Sequence, residues 1–289
     1  MAYTCFSVEV ADKVAHVRMI RPERANSMIP EFWSELPTIV DDLSDRGTVR
    51  AMVLSAVGRH FCSGMDLSVF AASDELGGAA RADPAASSER PSRARRAEAF
   101  RAMALHLQRS FSCLEQARFP VIAAVNGACV GGGVDMVSAC DFRYASTDAY
   151  FCIQEINIGM TADVGTLQRL PKLVAPGIVA ELAYTGRRMP AARAAQVGLV
   201  NEVFDDADAT VEAALAAAVE IAAKSPLAIS GTKRNLQYSM EHSIADGLEY
   251  IATWNASMLD ARDMAEAFLA GQEKRPPNFA DLEPRRRGL

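Results

Sequence analysis

Histidine is scarce in this sequence and cysteine is unpaired. There are four His, and the six Cys (Cys5, Cys62, Cys113, Cys129, Cys140 and Cys152) form no C-x-x-C pair and no cluster with His. A zinc site or a disulfide framework is thereby excluded as the organising device, and buried free thiols in a reducing cytoplasm are expected. Basic excess is missing too: 30 Lys and Arg stand against 36 Asp and Glu, a net charge of −6. That excludes a nucleic-acid footprint, which needs a basic domain or stripe. No run approaches the roughly 20 apolar residues of a membrane span. The start, Met1-Ala2-Tyr3-Thr4-Cys5, carries no charged region ahead of an apolar stretch, so no secretory signal is read. The end, Arg285-Arg286-Arg287-Gly288-Leu289, is not a Ser-Lys-Leu address. The expectation is a cytoplasmic protein with no metal, no nucleic acid and no membrane among its partners.

What is present is enough apolar residue to build a large core. Half of the 289 residues are hydrophobic and 23% are charged, which suits one large domain or two small ones. Val8 to Val10 and Val14 to Met19 read as a hairpin turned at Asp12-Lys13. Phe32, Leu36, Val40 and Leu43 repeat at helical spacing, with Pro37 expected to kink that helix or mark its start. Met52 to Leu54 and Val121 to Val125 read as buried strands, each running into glycine. Ala71 to Glu98 has Leu76 as its only large apolar residue and reads as a long excursion. A helix resumes with Phe100, Met103, Leu107, Phe111 and Leu114 on one face. Ala149 to Ile153 and Leu199 to Phe204 are strand-like. Helices are expected at Ala209 to Lys224, Leu227 to Tyr238 and Ser243 to Leu259. Strands alternating with helices and then a helical tail indicate α/β class, with residues 1–204 as a core and 205–289 as a helical domain and tail.

The segment Asn126-Gly127-Ala128-Cys129-Val130-Gly131-Gly132-Gly133-Val134-Asp135 is a strand entering glycines and then a helix. Free N–H groups at such a helix start favour negative charge. As a dinucleotide fingerprint it fails, because Met136 stands where the third glycine belongs. Its N–H groups fit an oxyanion hole instead, or a turn glycine-rich for tight packing alone. A second turn, Phe61-Cys62-Ser63-Gly64-Met65-Asp66-Leu67, also follows a buried strand and can supply a second donor. Cys62 and Ser63 invite a nucleophile reading, but no Gly-x-Ser-x-Gly elbow surrounds Ser63 and His60 has no motif-defined relation to it.

Together with the spacing to Glu155, these two turns resemble those of the crotonase family, the enoyl-CoA hydratases and isomerases. The similarity runs from about Val8 to Lys233, and Arg21-Pro22-Glu23-Arg24-Ala25-Asn26 resembles the family's early loop near coenzyme A. The resemblance implies a spiral of ββα units with a C-terminal helical trimerisation domain, assembled as a trimer or a dimer of trimers. It implies an acyl-CoA thioester substrate and no cofactor beyond the coenzyme A the substrate carries. Met65 and Gly132 would hold the thioester oxygen with their backbone N–H groups. Ser63, Gly64, Met65, Asp66, Leu67 and Gly132 would line the substrate, with Arg24 as a guess for a CoA phosphate.

Three acids distinguish among activities. Asp135 falls about one helical turn after Gly132, Glu155 stands at the family's main acid/base position, and Asp163 follows in Thr161-Ala162-Asp163-Val164-Gly165-Thr166-Leu167-Gln168-Arg169-Leu170. This Asp/Glu/Asp set and its flanks resemble isomerases that move 3,5-dienoyl-CoA to 2,4-dienoyl-CoA. The resemblance implies Glu155 as base at C2, Asp163 as acid at C6, and Asp135 holding Glu155 or the polar end of the site. Asp163 as a helix N-cap is the plainer alternative. An enoyl-CoA hydratase, a lyase or hydrolase on the same scaffold, and a non-catalytic acyl-CoA-binding subunit are the competing functions.

Overall fold

The computed structural model describes residues 3–66 and 92–285. Strands β1 (Phe6–Ala11) and β2 (Val14–Met19) form the expected hairpin. Asp12 and Lys13 both sit at positive φ, +48° and +66°, as a tight two-residue turn requires. Strands β3 (Ala51–Ala56), β4 (Val121–Val125), β6 (Phe142–Ser146) and β9 (Glu202–Phe204) extend the sheet in the order β1-β2-β3-β4-β6-β9, parallel from β2 onward. A second sheet, β5-β7-β8, joins Ala128–Val130, Tyr150–Cys152 and Met189–Pro190.

The parallel strands are apolar on both faces because both faces are covered. Side chains alternate along a strand, so Met52 and Leu54 of β3, with Val121, Ala123 and Val125 of β4, enter the main core. That core includes Phe32, Leu36 and Val40 of helix α1 (Pro30–Arg46) and Phe111 and Leu114 of helix α2 (Arg93–Gln116). Ala51, Val53, Ile122 and Ala124 face the other way, onto Ala214, Ala218 and Ala222. Those alanines belong to a helix, Ala207–Ala222, that lies just beyond the boundary expected at residue 204 yet closes this face of the sheet.

Pro37 neither starts α1 nor interrupts it. Lacking an N–H, it frees the carbonyl of Trp33 one turn earlier, and the Ser110 hydroxyl of α2 donates to that oxygen at 2.7 Å. Of the excursion expected over 71–98, residues 71–91 lie outside the described residues. The remainder is a correction: Ser92 accepts a hydrogen bond from the Arg95 N–H, and the helix begins at Arg93. Ala, Arg and Glu are strong helix formers even without an apolar face, and the helix is exposed there; Met103 and Leu105 are exposed as well, so only its later turns pack.

Four further helices shape the second half around the site: α3 (Gly132–Ser138), α4 (Thr166–Leu173), α5 (Pro176–Thr185) and α6 (Ala191–Gln196). The sheet-closing helix is α7, followed by α8 (Pro226–Ser239), α9 (Ile244–Met258) and α10 (Ala261–Glu273). Ser225 caps α8 with Pro226 in its first turn, and Ser243 and Asp246 form a capping box on α9. No single described helix is long and apolar enough to cross a membrane.

Lys233 of α8 is the buried tie between these helices and the core. Its ammonium donates to the carbonyls of Leu114 (2.7 Å) and Phe119 (2.9 Å) and to Asp141 Oδ2 (2.8 Å). Only 4% of its side chain is exposed. Removing one partner of such a buried pair strands the other charge. Lys233→Met is therefore expected to cost about 3 kcal/mol, read as a lowered urea midpoint with an unchanged slope.

Candidate active site

Two strand-end turns meet edge to edge. The Cys62 N–H donates to the Ala128 carbonyl (2.9 Å), the Val130 N–H donates back to the Cys62 carbonyl (3.0 Å), and Phe61 N–H reaches Asn126 O (2.8 Å). The early loop braces the first turn: Met28 N–H donates to Gly64 O (2.9 Å), Ser63 N–H to Ala25 O (3.0 Å), and the Asn26 amide to Val57 O and His60 O. A Cβ on Gly64 would lie 3.0 Å from the Val130 carbonyl, so the backbones touch where a side chain cannot fit. Gly131 stands at φ +53°, ψ −121°, accessible in practice to glycine alone.

These contacts leave the N–H groups of Met65 and Gly132 without an acceptor among the described residues. Gly132 opens α3, whose first N–H groups have no intrahelical partner. Gly64, Met65, Gly131 and Gly132 line one cavity of about 430 Å³, together with Ser63, Glu155 and Asp163. Asp66 is turned aside, accepting from the Ser27 hydroxyl at 2.9 Å, and is absent from the lining. Leu67 lies outside the described residues.

Glu155 begins a short 3-10 turn after β7, and its Oε1 lies 3.1 Å from where a Cβ on Gly131 would stand. Its Oε2 is buried with no hydrogen-bond partner among the described residues. Burial, and then the nearby charge of Asp135, push its pKa up to about 7. Asp163 is half-buried in the same wall, and desolvation raises its pKa as well. It is not a helix cap: the N-cap of α4 is Gly165, at φ +132°.

Asp135 stands close enough to Glu155 for its charge to act there. It is fully buried and lies behind the cavity, on α3, rather than lining it. Its Oδ1 accepts the Thr166 N–H at 2.5 Å, closing the start of α4 from 31 residues away. Burial raises its pKa to about 6, against the opposing pull of the Thr166 bond.

Cys62 is not placed to act as a nucleophile. Cys62 is wholly buried, desolvation pushes its thiol up to about 12, and its Sγ contacts Asn26 O. His60 uses Nδ1 to accept the Ala128 N–H at 3.2 Å. Arg24 is exposed and outside the lining. Among the described residues the cation at the cavity is instead Arg188, seated 4.5 Å from the centre of the Tyr150 ring. Nothing local in the sequence marks it, because β8 brings it back from outside either glycine turn. Among the described residues no three His, Cys, Asp or Glu side chains gather as a metal site.

A parallel-sheet spiral with paired N–H donors and acidic side chains at one cavity defines a scaffold for acyl-thioester chemistry. Residues 9–90 and 91–283 match the enoyl-CoA hydratase/isomerase family, and the chain belongs to that family. It is 43% identical to the mitochondrial Delta(3,5)-Delta(2,4)-dienoyl-CoA isomerase of Mus musculus, over 94% of this chain and 81% of that one. Identity to the peroxisomal Delta(3,5)-Delta(2,4)-dienoyl-CoA isomerase of Arabidopsis thaliana is 40%, over 93% of each. Among solved structures, enoyl-CoA hydratase from Bacillus anthracis superimposes with a TM-score of 0.83 at 29% identity, covering 96% of this chain and 99% of that one. The expected crotonase-like fold of ββα units with C-terminal helices is thus the observed one. The relatives' names place them in mitochondria and peroxisomes, so they lend the cytoplasmic expectation no support.

Proposed function

We propose that the protein isomerises a 3,5-dienoyl-CoA to the 2,4-dienoyl-CoA, a step in the oxidation of unsaturated acyl chains. The observation that carries this reading is the sharing of one cavity by Glu155, Asp163 and the unpartnered N–H groups of Met65 and Gly132. The two N–H groups hold the thioester oxygen and stabilise the negative charge that develops there. Glu155 takes the C2 proton as the carbonyl conjugates with the diene, and Asp163 delivers a proton to C6. The double bonds each move by one carbon, and no electron acceptor or cofactor beyond the substrate's own coenzyme A is needed. One turnover leaves Glu155 protonated and Asp163 ionised, so protons return through the open cavity before the next. Asp135 positions the Asp163 loop through Thr166. Arg188 suits the phosphates of coenzyme A better than Arg24 does.

Ultraviolet assays test the reading. A 3,5-dienoyl-CoA should give the conjugated 2,4-dienoyl-thioester band rapidly, while a 2-enoyl-CoA is hydrated slowly by comparison. Rapid hydration with no dienoyl product would make the protein a hydratase; coenzyme A binding without turnover would make it a binding subunit.

The helical tail supports assembly as a trimer or a dimer of trimers. Ile244 and Leu248 of α9 and Phe268 of α10 are 84%, 63% and 71% exposed, large apolar side chains that a second copy can cover. Light scattering is expected to read three or six copies of the 31.1 kDa chain, and Phe268→Glu to shift that mass toward the single chain. The six free cysteines, all buried, suit a reducing compartment such as the cytoplasm.

A further inference from the structure

Helix α2 contributes no residue to the cavity lining, yet it holds the segment that carries Asp163. The Gln108 amide donates to the Asp163 carbonyl at 2.8 Å. One and two turns further along, Ser112 and Glu115 receive the Arg169 guanidinium. Nε and Nη2 meet the two Glu115 oxygens at 2.9 and 2.7 Å, and Nη2 also reaches Ser112 Oγ at 3.1 Å. The third nitrogen, Nη1, donates to the Val164 carbonyl at 3.2 Å. Two consecutive carbonyls, those of Asp163 and Val164, are thus fixed by side chains.

Gly165 completes the arrangement. At φ +132°, a Cβ there would lie 1.7 Å from Arg169 Nη1, so the guanidinium occupies the space that any side chain would need. Thr166 N–H is then taken by Asp135. Four residues are held at three points, none of them on the Asp163 carboxyl itself. Its direction is set by the backbone, and the backbone is set by α2, by Arg169 and by Asp135. The Glu115–Arg169 pair is a bidentate fork, the geometry in which arginine cannot be replaced by lysine without loss.

We propose that Gln108 and Arg169 are positioning residues that aim the Asp163 carboxyl into the cavity by clamping the Asp163 and Val164 carbonyls to α2. This rests on the reading of Asp163 as the C6 acid. Neither residue lines the cavity, and Gln108 meets the reaction through the Asp163 peptide; Arg169 also lies near the charge of Asp135, so Gln108 is the cleaner probe. Misplacement of a reacting group by about 1 Å can cost about a hundredfold in rate, which makes a hydrogen bond to the acid's own peptide a sensitive one.

The test separates the two proton transfers. In D2O, exchange of deuterium into C2 of the 3,5-dienoyl-CoA reports removal and return of the C2 proton, while the 2,4-dienoyl band reports protonation at C6. Gln108→Leu and the near-isosteric Gln108→Glu, which has no donor when ionised, are each expected to lower 2,4-dienoyl formation about 10- to 100-fold. C2 exchange and the melting temperature should remain near the wild-type values. Arg169→Lys should shift the same ratio of exchange to isomerisation in the same direction. Unchanged isomerisation in both Gln108 variants overturns the proposal. So does a fall in which exchange, isomerisation and melting temperature decline together, since that marks a loss of folding rather than of aim. Asp163→Asn, run beside them, isolates the underlying reading. If it isomerises normally, the acid assignment and the clamp fall together; if it alone loses isomerisation, only the clamp falls.

Discussion

Glu155→Gln is expected to lower turnover of a 3,5-dienoyl-CoA by about 10²- to 10⁴-fold, the usual worth of a positioned general base, and to make the protein more stable at alkaline pH. Both effects have one cause. The carboxyl is packed against the Gly131 turn, with Oε2 buried and unpartnered and the Asp135 charge nearby. An ionised group there is poorly solvated and is a stronger base than an ordinary carboxylate; its pKa stands at about 7 rather than the ordinary 4.5. Glutamine keeps the shape and has no lone pair basic enough to take a C2 proton. Acyl-CoA binding, which uses the two N–H groups and the walls, should survive within a few-fold.

The stability effect has a definite sign. Between pH 4.5 and about 7 the folded protein binds more protons at Glu155 than the unfolded chain does. Stability from this group therefore falls as pH rises through that window. Above about pH 7 the full penalty is in place, and the neutral amide of the Glu155→Gln variant avoids it. One pKa unit is worth 1.36 kcal/mol; with allowance for the group's partial access to water, the variant should gain ~1–2 kcal/mol at about pH 8. Below about pH 4 the gain should vanish. Thermal unfolding at the two pH values checks this, and a variant less stable than wild type at the alkaline one would contradict the burial argument.

The fold was legible where local pattern and tertiary packing agree. Val121–Val125 is a strand to the residue, because a buried run flanked by Pro120 and Asn126 has no helical alternative of that length. Asp12-Lys13 and Ser225-Pro226 mark their turns by residue type alone. What escaped depends on contacts between distant segments. Asp163 follows the residue pattern of an N-cap, but the N–H at the start of α4 is taken by Asp135, and no local signal reveals a partner 31 residues away. Pro37 reads as a kink until Ser110 is seen serving the carbonyl it frees. The first turns of α2 lack apolar periodicity and are helical by intrinsic propensity. α10 falls within the helical tail expected over 205–289 without bounds of its own, and its Phe268 and Leu269 are exposed in a single chain. At the site, residue types disclosed the glycine turns and the acids. The depth of Asp135 and the return of Arg188 to the cavity required the strands to be in place.

Asp163→Asn is the sharper test of the division of labour, with an expected loss of about 10²- to 10³-fold in 2,4-dienoyl formation. Asparagine preserves the backbone contacts with Gln108 and Arg169 and lacks only the proton. Glu155 and the two N–H groups are untouched, so deuterium exchange at C2 should continue while protonation at C6 fails. In the wild type, isomerisation requires Glu155 ionised and Asp163 protonated at once. Desolvation raises both acids, which brings that combination toward neutral pH, and a bell-shaped rate profile is expected. Its limbs belong to the coupled acids as a set rather than to either alone. The falling alkaline limb should disappear from the residual activity of Asp163→Asn, because no acid remains there to lose its proton. A single carboxylate serving both carbons would give a different pattern in Asp163→Asn, where exchange and isomerisation would stay in proportion; in Glu155→Gln both collapse on either reading. The ratio of the two rates in Asp163→Asn therefore distinguishes a shared proton from a divided one, whatever the absolute loss.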